Sequence, residues 1–267
     1  MKTYLRIGLI FCFGLLARTA FGADIGVEAV KYFSHFNDTL DRSLNTLYYS
    51  FDVSDGLWEG LNTGEAHNFY FTRGNCWEKD LREVGQGGWD HLYGDNVDLF
   101  FIITHGGNWD DSLRVAYDID RDAWHSDSRQ WQLGNGDLEW LALYACSTLP
   151  FGVIETSCTP FFYGLHMVLG AHDKMWLGPS TAECGEDFAQ NLKDGDTVCD
   201  AWLDGVSDWF FDQNPLVVSG ERYETYRGGA VDWPNLVLSR DHYPGRGTTC
   251  LDIPHSRVYH FVYRWVD

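Results

Sequence analysis

Two apolar runs, each ending in a residue type that does chemistry, constrain this chain more than any other feature. Val97-Asp-Leu-Phe-Phe-Ile-Ile-Thr104 leads into His105-Gly106, and Leu138-Glu-Trp-Leu-Ala-Leu-Tyr144 leads into Ala145-Cys146. Their length and their β-branched and aromatic content fit strands buried on both faces, as in the covered parallel sheet of an α/β fold. If the two are parallel neighbours joined by a crossover, His105 and Cys146 emerge at the same carboxyl edge, where open α/β sheets place their sites. A Cys/His dyad is assembled that way. The alternative is a polar turn after one strand and a small buried thiol after the other, since free cysteine is among the most buried residue types. With 10 His and 28 Gly in 267 residues, a His-Gly pair carries little weight by itself. Its place at a strand end singles it out.

Residues 1–22 read as a secretory leader. Lys2 and Arg6 precede the apolar stretch from Ile7 to Leu16, and Ala20-Phe21-Gly22 supplies small residues for cleavage before Ala23. The apolar core is too short to favour a full membrane span. A secreted or periplasmic protein without stable membrane insertion is expected, with residues 23–267 as a single domain uninterrupted by Pro/Ser-rich linkers or repeats. The net charge of −20 becomes more negative still once Lys2, Arg6 and Arg18 leave with the leader. Such a surface repels phosphate backbones, so no nucleic-acid partner is expected. It favours cationic substrates or calcium, or simply maintains solubility.

Aromatic residues make up 16% of the chain and include 12 Trp, enough to line a sugar or peptide groove as well as to fill a core. Without Cys12 of the leader, six cysteines remain: Cys76, Cys146, Cys158, Cys184, Cys199 and Cys250. In an oxidising compartment this even number suggests three disulfides, whereas a nucleophilic Cys146 would leave one more cysteine unpaired.

Periodicity predicts strands over 25–33 and 68–72, and a helix over 38–49 with Leu40, Leu44 and Leu47 on one face. Residues 161–169 read as an apolar helix and 174–178 as a short strand. Phe188 to Gly195 reads as a helix end closed by glycine, and Val198, Trp202, Val206 and Trp209 fall at helical spacing. Residues 236–239 and 258–264 read as late strands. The order points to α/β architecture, a three-layer sandwich around a mostly parallel sheet. The Gly85 to Gly88 stretch lacks dinucleotide-binding spacing, so a Rossmann reading is discarded.

Asp118, Asp120 and Asp122 alternate, but Ala123 stands where an EF-hand loop needs glycine and Arg129 where it needs a bidentate glutamate. An EF-hand is excluded; a looser calcium site stays open beside an ordinary acidic loop. His166 and His172, six apart, fall on different faces of a helix and make a poor zinc pair. No other cofactor is expected.

The succession apolar strand, His105-Gly106, crossover, apolar strand, Ala145-Cys146 resembles the caspase-like cysteine peptidase clan of legumains, gingipains, clostripain, separases and caspases. Phe188, Leu192 and Gly195-Asp-Thr-Val-Cys-Asp-Ala-Trp202 are similar to a stretch that follows the catalytic strand in several branches. Trp77-Glu-Lys-Asp80, Gly88-Trp-Asp90, Asp98-Leu-Phe-Phe101, Ala145-Cys-Ser-Thr-Leu149 and Gly164-Leu-His166 resemble a family of exported proteins near that clan. The resemblance implies a caspase-hemoglobinase-like fold and a thiol protease acting on peptide or protein substrates. It makes His105 the general base, Cys146 the nucleophile, and the amides of Gly106 and Cys146 the oxyanion hole. Thr104 and Asn108 either orient the imidazole or stabilise their loop, Ser147 is expected to flank the site, and His166 is expected to be a structural or site-flanking residue. The metacaspase signature Asp-x-Cys-His-Ser-Gly is absent. The alternative is a catalytically inactive caspase-like domain that binds peptide or glycan through its aromatic surface and is stabilised by disulfides. A Cys146 disulfide, for example to Cys158, favours that alternative, and a free thiol near His105 favours the enzyme.

Overall fold

The structure is a computed structural model describing residues 23–33, 44–61, 67–117, 124–207, 213–221, 225–226, 229–230, 241, 243 and 260–266. In chain order its elements are β1 (Ile25–Ala29), α1 (Ser50–Gly60), β2 (His67–Thr72), β3 (Leu99–Ile103), β4 (Gly106–Trp109), β5 (Ser112–Ala116), β6 (His125–Asp127) and β7 (Trp140–Tyr144). There follow α2 (Ile154–Cys158), β8 (Met167–Ala171), α3 (Cys184–Asp194), α4 (Val198–Gly205), β9 (Pro215–Glu221), β10 (Thr225–Tyr226), β11 (Gly229–Ala230) and β12 (His260–Trp265). One sheet runs β12-β9-β8-β7-β3-β1-β2. Strands β2, β1, β3, β7 and β8 are parallel; β9 runs antiparallel to β8, and β12 to β9. The protein is thus α/β, with a mostly parallel sheet covered on both faces.

The central strands are apolar throughout because both of their faces are covered. In β3, Leu99, Phe101 and Ile103 face one hydrophobic cluster while Phe100 and Ile102 face the other, the period-two alternation of a strand. Helices α1, α3 and α4 cover the first face. There Trp202 packs edge-on against Phe101, Tyr144 and Phe188, and its indole N–H donates to the Gly170 carbonyl at 3.1 Å. Helix α3 ends at Gly195, whose φ of 99° suits a residue without a Cβ. The Thr197 hydroxyl accepts the Asp200 N–H at 3.0 Å and starts α4. The opposite face carries α2, short 3₁₀ turns at Glu78–Asp80, Val84–Gln86 and Asp90–Leu92, and the small antiparallel sheet β4-β5-β6. That sheet, rather than a helix, occupies the described part of the connection from β3 to β7.

Several expected elements differ. Residues 161–169 form no helix; Met167–Ala171 is strand β8, parallel to β7, because its apolar residues bury on two faces. Residues 174–178 lie in no strand. Residues 44–49 are not helical, and the Leu47 N–H bonds the Lys31 carbonyl at 3.0 Å. Leu44 and Leu47 pack against the second cluster from irregular chain, so their spacing mimics a helix that begins only at Ser50. The opening strand stops at Ala29. Residues 34–43, 236–239 and Trp209 lie outside the described residues. No described helix is long and apolar enough to cross a membrane.

Candidate active site

Strands β3 and β7 pair in register with Ile103 opposite Tyr144, and the Thr104 N–H continues the ladder to the Tyr144 carbonyl at 3.3 Å. His105 and Cys146 therefore leave the sheet level with each other at its carboxyl edge, on strands about 5 Å apart. Gly106 permits this approach: a Cβ there would lie 2.9 Å from the Ala145 Cβ and 3.0 Å from the Cys146 carbonyl oxygen. Directly after the cysteine the chain turns sharply. Ser147 has a φ of 47°, a left-handed conformation that is strained for a non-glycine residue, and its N–H donates to the Asp173 carbonyl at 2.6 Å. The Cys146 N–H makes no hydrogen bond among the described residues.

The half-buried His105 ring packs against Phe33, with centroids 4.8 Å apart, and its Nε2–H donates to the Asn45 carbonyl at 2.7 Å. This bond places the lone pair of the neutral ring on Nδ1. Burial lowers the imidazole pKa, partly opposed by the Asn45 bond, and so favours that neutral form. The half-buried Cys146 thiol donates to the Met175 carbonyl at 3.5 Å and accepts the Met175 N–H at 3.4 Å. The segment it meets is itself fixed. Gln213 accepts the Trp176 N–H at 2.9 Å, and both Gln213 Nε2 and the Tyr144 hydroxyl donate to the Trp176 carbonyl. In this state imidazole and thiol each hydrogen-bond main chain rather than each other.

Other expected site residues take different places. The Thr104 hydroxyl donates to the Ala116 carbonyl, and Asn108 Nδ2 donates to the Ser157 hydroxyl, so both stabilise neighbouring chain, the second of the two expected roles, and neither orients the imidazole. Asn45 and Phe33 do so instead. Asn45 acts through its main chain, and a carbonyl contact 60 positions away leaves no mark on the residue type. His166 does not flank the site. It precedes β8 at the amino edge of the sheet, 2% exposed, with Nδ1 bonded at 2.7 Å to Asp241 Oδ2, the oxygen that also accepts the Trp140 indole N–H. His172 stacks on Phe151. Cys146 and Cys158 are free thiols, so no disulfide joins them; Cys250 lies outside the described residues. Asp118, Asp120 and Asp122 also lie outside, and the described residues contain no cluster of three or more His, Cys, Asp or Glu suited to a metal.

Beneath the second face lies a feature that no local sequence pattern announces. Glu28, fully buried in β1, accepts the Tyr117 hydroxyl at 2.9 Å and lies beside the buried Asp80. Burial, reinforced for Glu28 by the Asp80 charge, raises both carboxyls, Asp80 to about 6, so the pair retains a proton well above the usual carboxylate range. Burial also raises Asp90 and Asp95 to about 7, although Asp95 accepts the Gly134 and Gly136 N–H groups at 2.6 Å each.

Fold and site together define an α/β protein with a histidine and a cysteine at adjoining strand ends. The chain belongs to the family described as Domain of unknown function (DUF6345), whose model matches residues 27–266, from β1 to β12. No curated protein matches it.

Proposed function

We propose that this protein is an exported cysteine endopeptidase of caspase-hemoglobinase-like fold, with Cys146 as nucleophile and His105 as general base. One observation carries the reading: adjacent parallel strands deliver the two residues level at the carboxyl edge of the sheet. In the reaction the Cys146 proton passes to His105 Nδ1 and the thiolate attacks the substrate carbonyl. The resulting oxyanion faces two amides. The Cys146 N–H is available, and the Gly106 N–H points away from β5: the Ala116 N–H to His105 carbonyl bond, 2.8 Å, makes Gly106 and Val115 a non-bonded pair of the antiparallel ladder. The imidazolium then protonates the leaving amine, and neutral Nδ1 takes a proton from the water that hydrolyses the thioester. Substrate binding must exchange the Met175 contacts of Sγ for contact with His105.

The test is hydrolysis of a quenched fluorescent peptide library. Cys146→Ala and His105→Ala should each lower turnover by about a thousandfold or more. Equal turnover in the variants contradicts the dyad. The inactive-domain reading has one observation of its own, the commitment of both thiol hydrogen bonds to Met175. It predicts peptide binding without turnover in the same assay.

A further inference from the structure

We propose that the face carrying α2 and the edge strand β12 binds an extended, uncharged oligosaccharide of β-1,4-linked pyranose rings. The proposal rests on neither Cys146 nor His105. Two features meet on this face. The first is an open cavity of about 570 Å³, inside the range of roughly 300–1,000 Å³ that holds small-molecule ligands. Gln132, Glu155, Thr156 and Thr159 give it a polar lining, and Pro160, Phe162 and Tyr163 a flat apolar one, Phe162 from the buried side and Tyr163 from the exposed side. The second is a row of aromatic rings. Phe261, Tyr263 and Trp265 alternate along β12 and so share one side of the strand, about 7 Å apart. Phe261 is buried against Phe162 with centroids 5.2 Å apart, which joins the row to the cavity. Beyond it Tyr263, Trp265 and Phe151 are 40%, 44% and 45% exposed, yet their centroids lie only 5.4 to 5.7 Å from one another.

A contiguous patch of exposed rings marks a surface that something covers. A pyranose has the two kinds of surface this face offers: a side of C–H groups that stacks on the electron-rich face of an aromatic ring, and a perimeter of hydroxyls that both donate and accept. The aromatic row meets the first and the cavity meets the second. The Gln132 amide donates and accepts, the Glu155 carboxyl accepts, and the Thr159 hydroxyl, which donates to the Glu155 carbonyl, keeps its oxygen as an acceptor. A wholly apolar partner would bury these groups without hydrogen bonds, at a cost in free energy. Glu155 is the one charged residue of the lining, and it is acidic in a chain of net charge −20, so sulfated and uronic sugars are repelled. A strand sets its rings in a line, which suits the extended form of a β-1,4-linked chain. Trp265 stands opposite Leu216 and Leu216 opposite Gly170, so the row reaches the carboxyl edge of the sheet. It does so three strand spacings from β7, on the order of 15 Å from the strand that carries Cys146.

The experiment is calorimetric titration of the full protein with cellohexaose, xylohexaose and mannohexaose, and with hexamannuronate, which matches mannohexaose in linkage and configuration but carries a carboxylate on every ring. At least one neutral hexasaccharide should bind, and hexamannuronate should bind more weakly than mannohexaose. Tyr263→Ala with Trp265→Ala, two exposed positions, should weaken binding about tenfold through the lost stacking. Gln132→Ala with Thr159→Val should weaken it about fivefold through the lost hydrogen bonds. Each variant is checked for an unchanged circular dichroism spectrum, and either one that passes carries the test. Failure of all three neutral hexasaccharides to bind, equal or tighter binding of hexamannuronate, or affinity unchanged in a folded variant overturns the proposal. So does light scattering that shows the protein self-associating in a way that Tyr263→Ala with Trp265→Ala abolishes, since the row would then be covered by a second copy of the chain.

Discussion

The two faces of the central sheet are stabilised by different means. Under α1, α3 and α4 the contact is almost wholly apolar, with Leu57, Phe188, Trp202 and the inner residues of β3 and β7 interlocked. Under the 3₁₀ turns and the small antiparallel sheet, apolar packing is interrupted by the carboxyls of Glu28, Asp80, Asp90 and Asp95. A helix satisfies its own main chain, so side chains beneath it are free to be apolar. A turn-rich layer leaves amides such as those of Gly134 and Gly136 needing acceptors, and buried acids supply them. The helical face should therefore respond to lost volume and the other face to pH.

The largest effect is expected from Trp202→Ala, which removes a fully buried indole at the centre of the helical face. It should cost about 3–5 kcal/mol in chemical denaturation, with little change in pH dependence. A loss under 1 kcal/mol would dissolve the contrast. Next is pH itself. The folded state holds protons on Asp80, Asp90 and Asp95 that the unfolded chain releases near pH 4, so stability is greatest below that point and falls as pH rises through the folded values, about 6 for Asp80 and about 7 for Asp90 and Asp95; Glu28, raised by burial, acts in the same direction. For Asp80 alone the loss is on the order of 3 kcal/mol by pH 8. Asp127, held low chiefly by its bonds to Arg129 despite burial, acts oppositely and loses its contribution only in stronger acid. Melting temperatures from pH 4 to 8 check the sign. Smaller again is Glu28→Gln, which keeps an acceptor for Tyr117 and offers Asp80 a donor. It should raise stability at pH 8 by about 1 kcal/mol and flatten the pH profile; destabilisation would show that the protonated pair is the better arrangement.

The same division explains what the sequence made legible. Val97 to Thr104 and Leu138 to Tyr144 could be read as neighbouring covered strands because central parallel strands are apolar on both faces, and His105 and Cys146 followed from their ends. Met167 to Ala171 was hidden inside a longer apolar stretch that fits helix and strand alike, which also misplaced His166. Glu28 sits in an otherwise apolar strand, and its partners Asp80 and Tyr117 are 52 and 89 positions away, so no local pattern announces them. The contacts of His105 and Cys146 with Asn45 and Met175 run through main chain, which any residue type provides.

In the proposed dyad Cys146 is an activated nucleophile that depends on His105. Mass-spectrometric mapping of thiols after brief exposure to an acyloxymethyl-ketone probe tests it directly, with His105→Ala as the comparison. The dyad predicts rapid labelling confined to Cys146 in the wild-type chain and its loss in the variant. Cys146 recovered in a disulfide, or labelled no faster than an ordinary thiol and equally in both proteins, would contradict it.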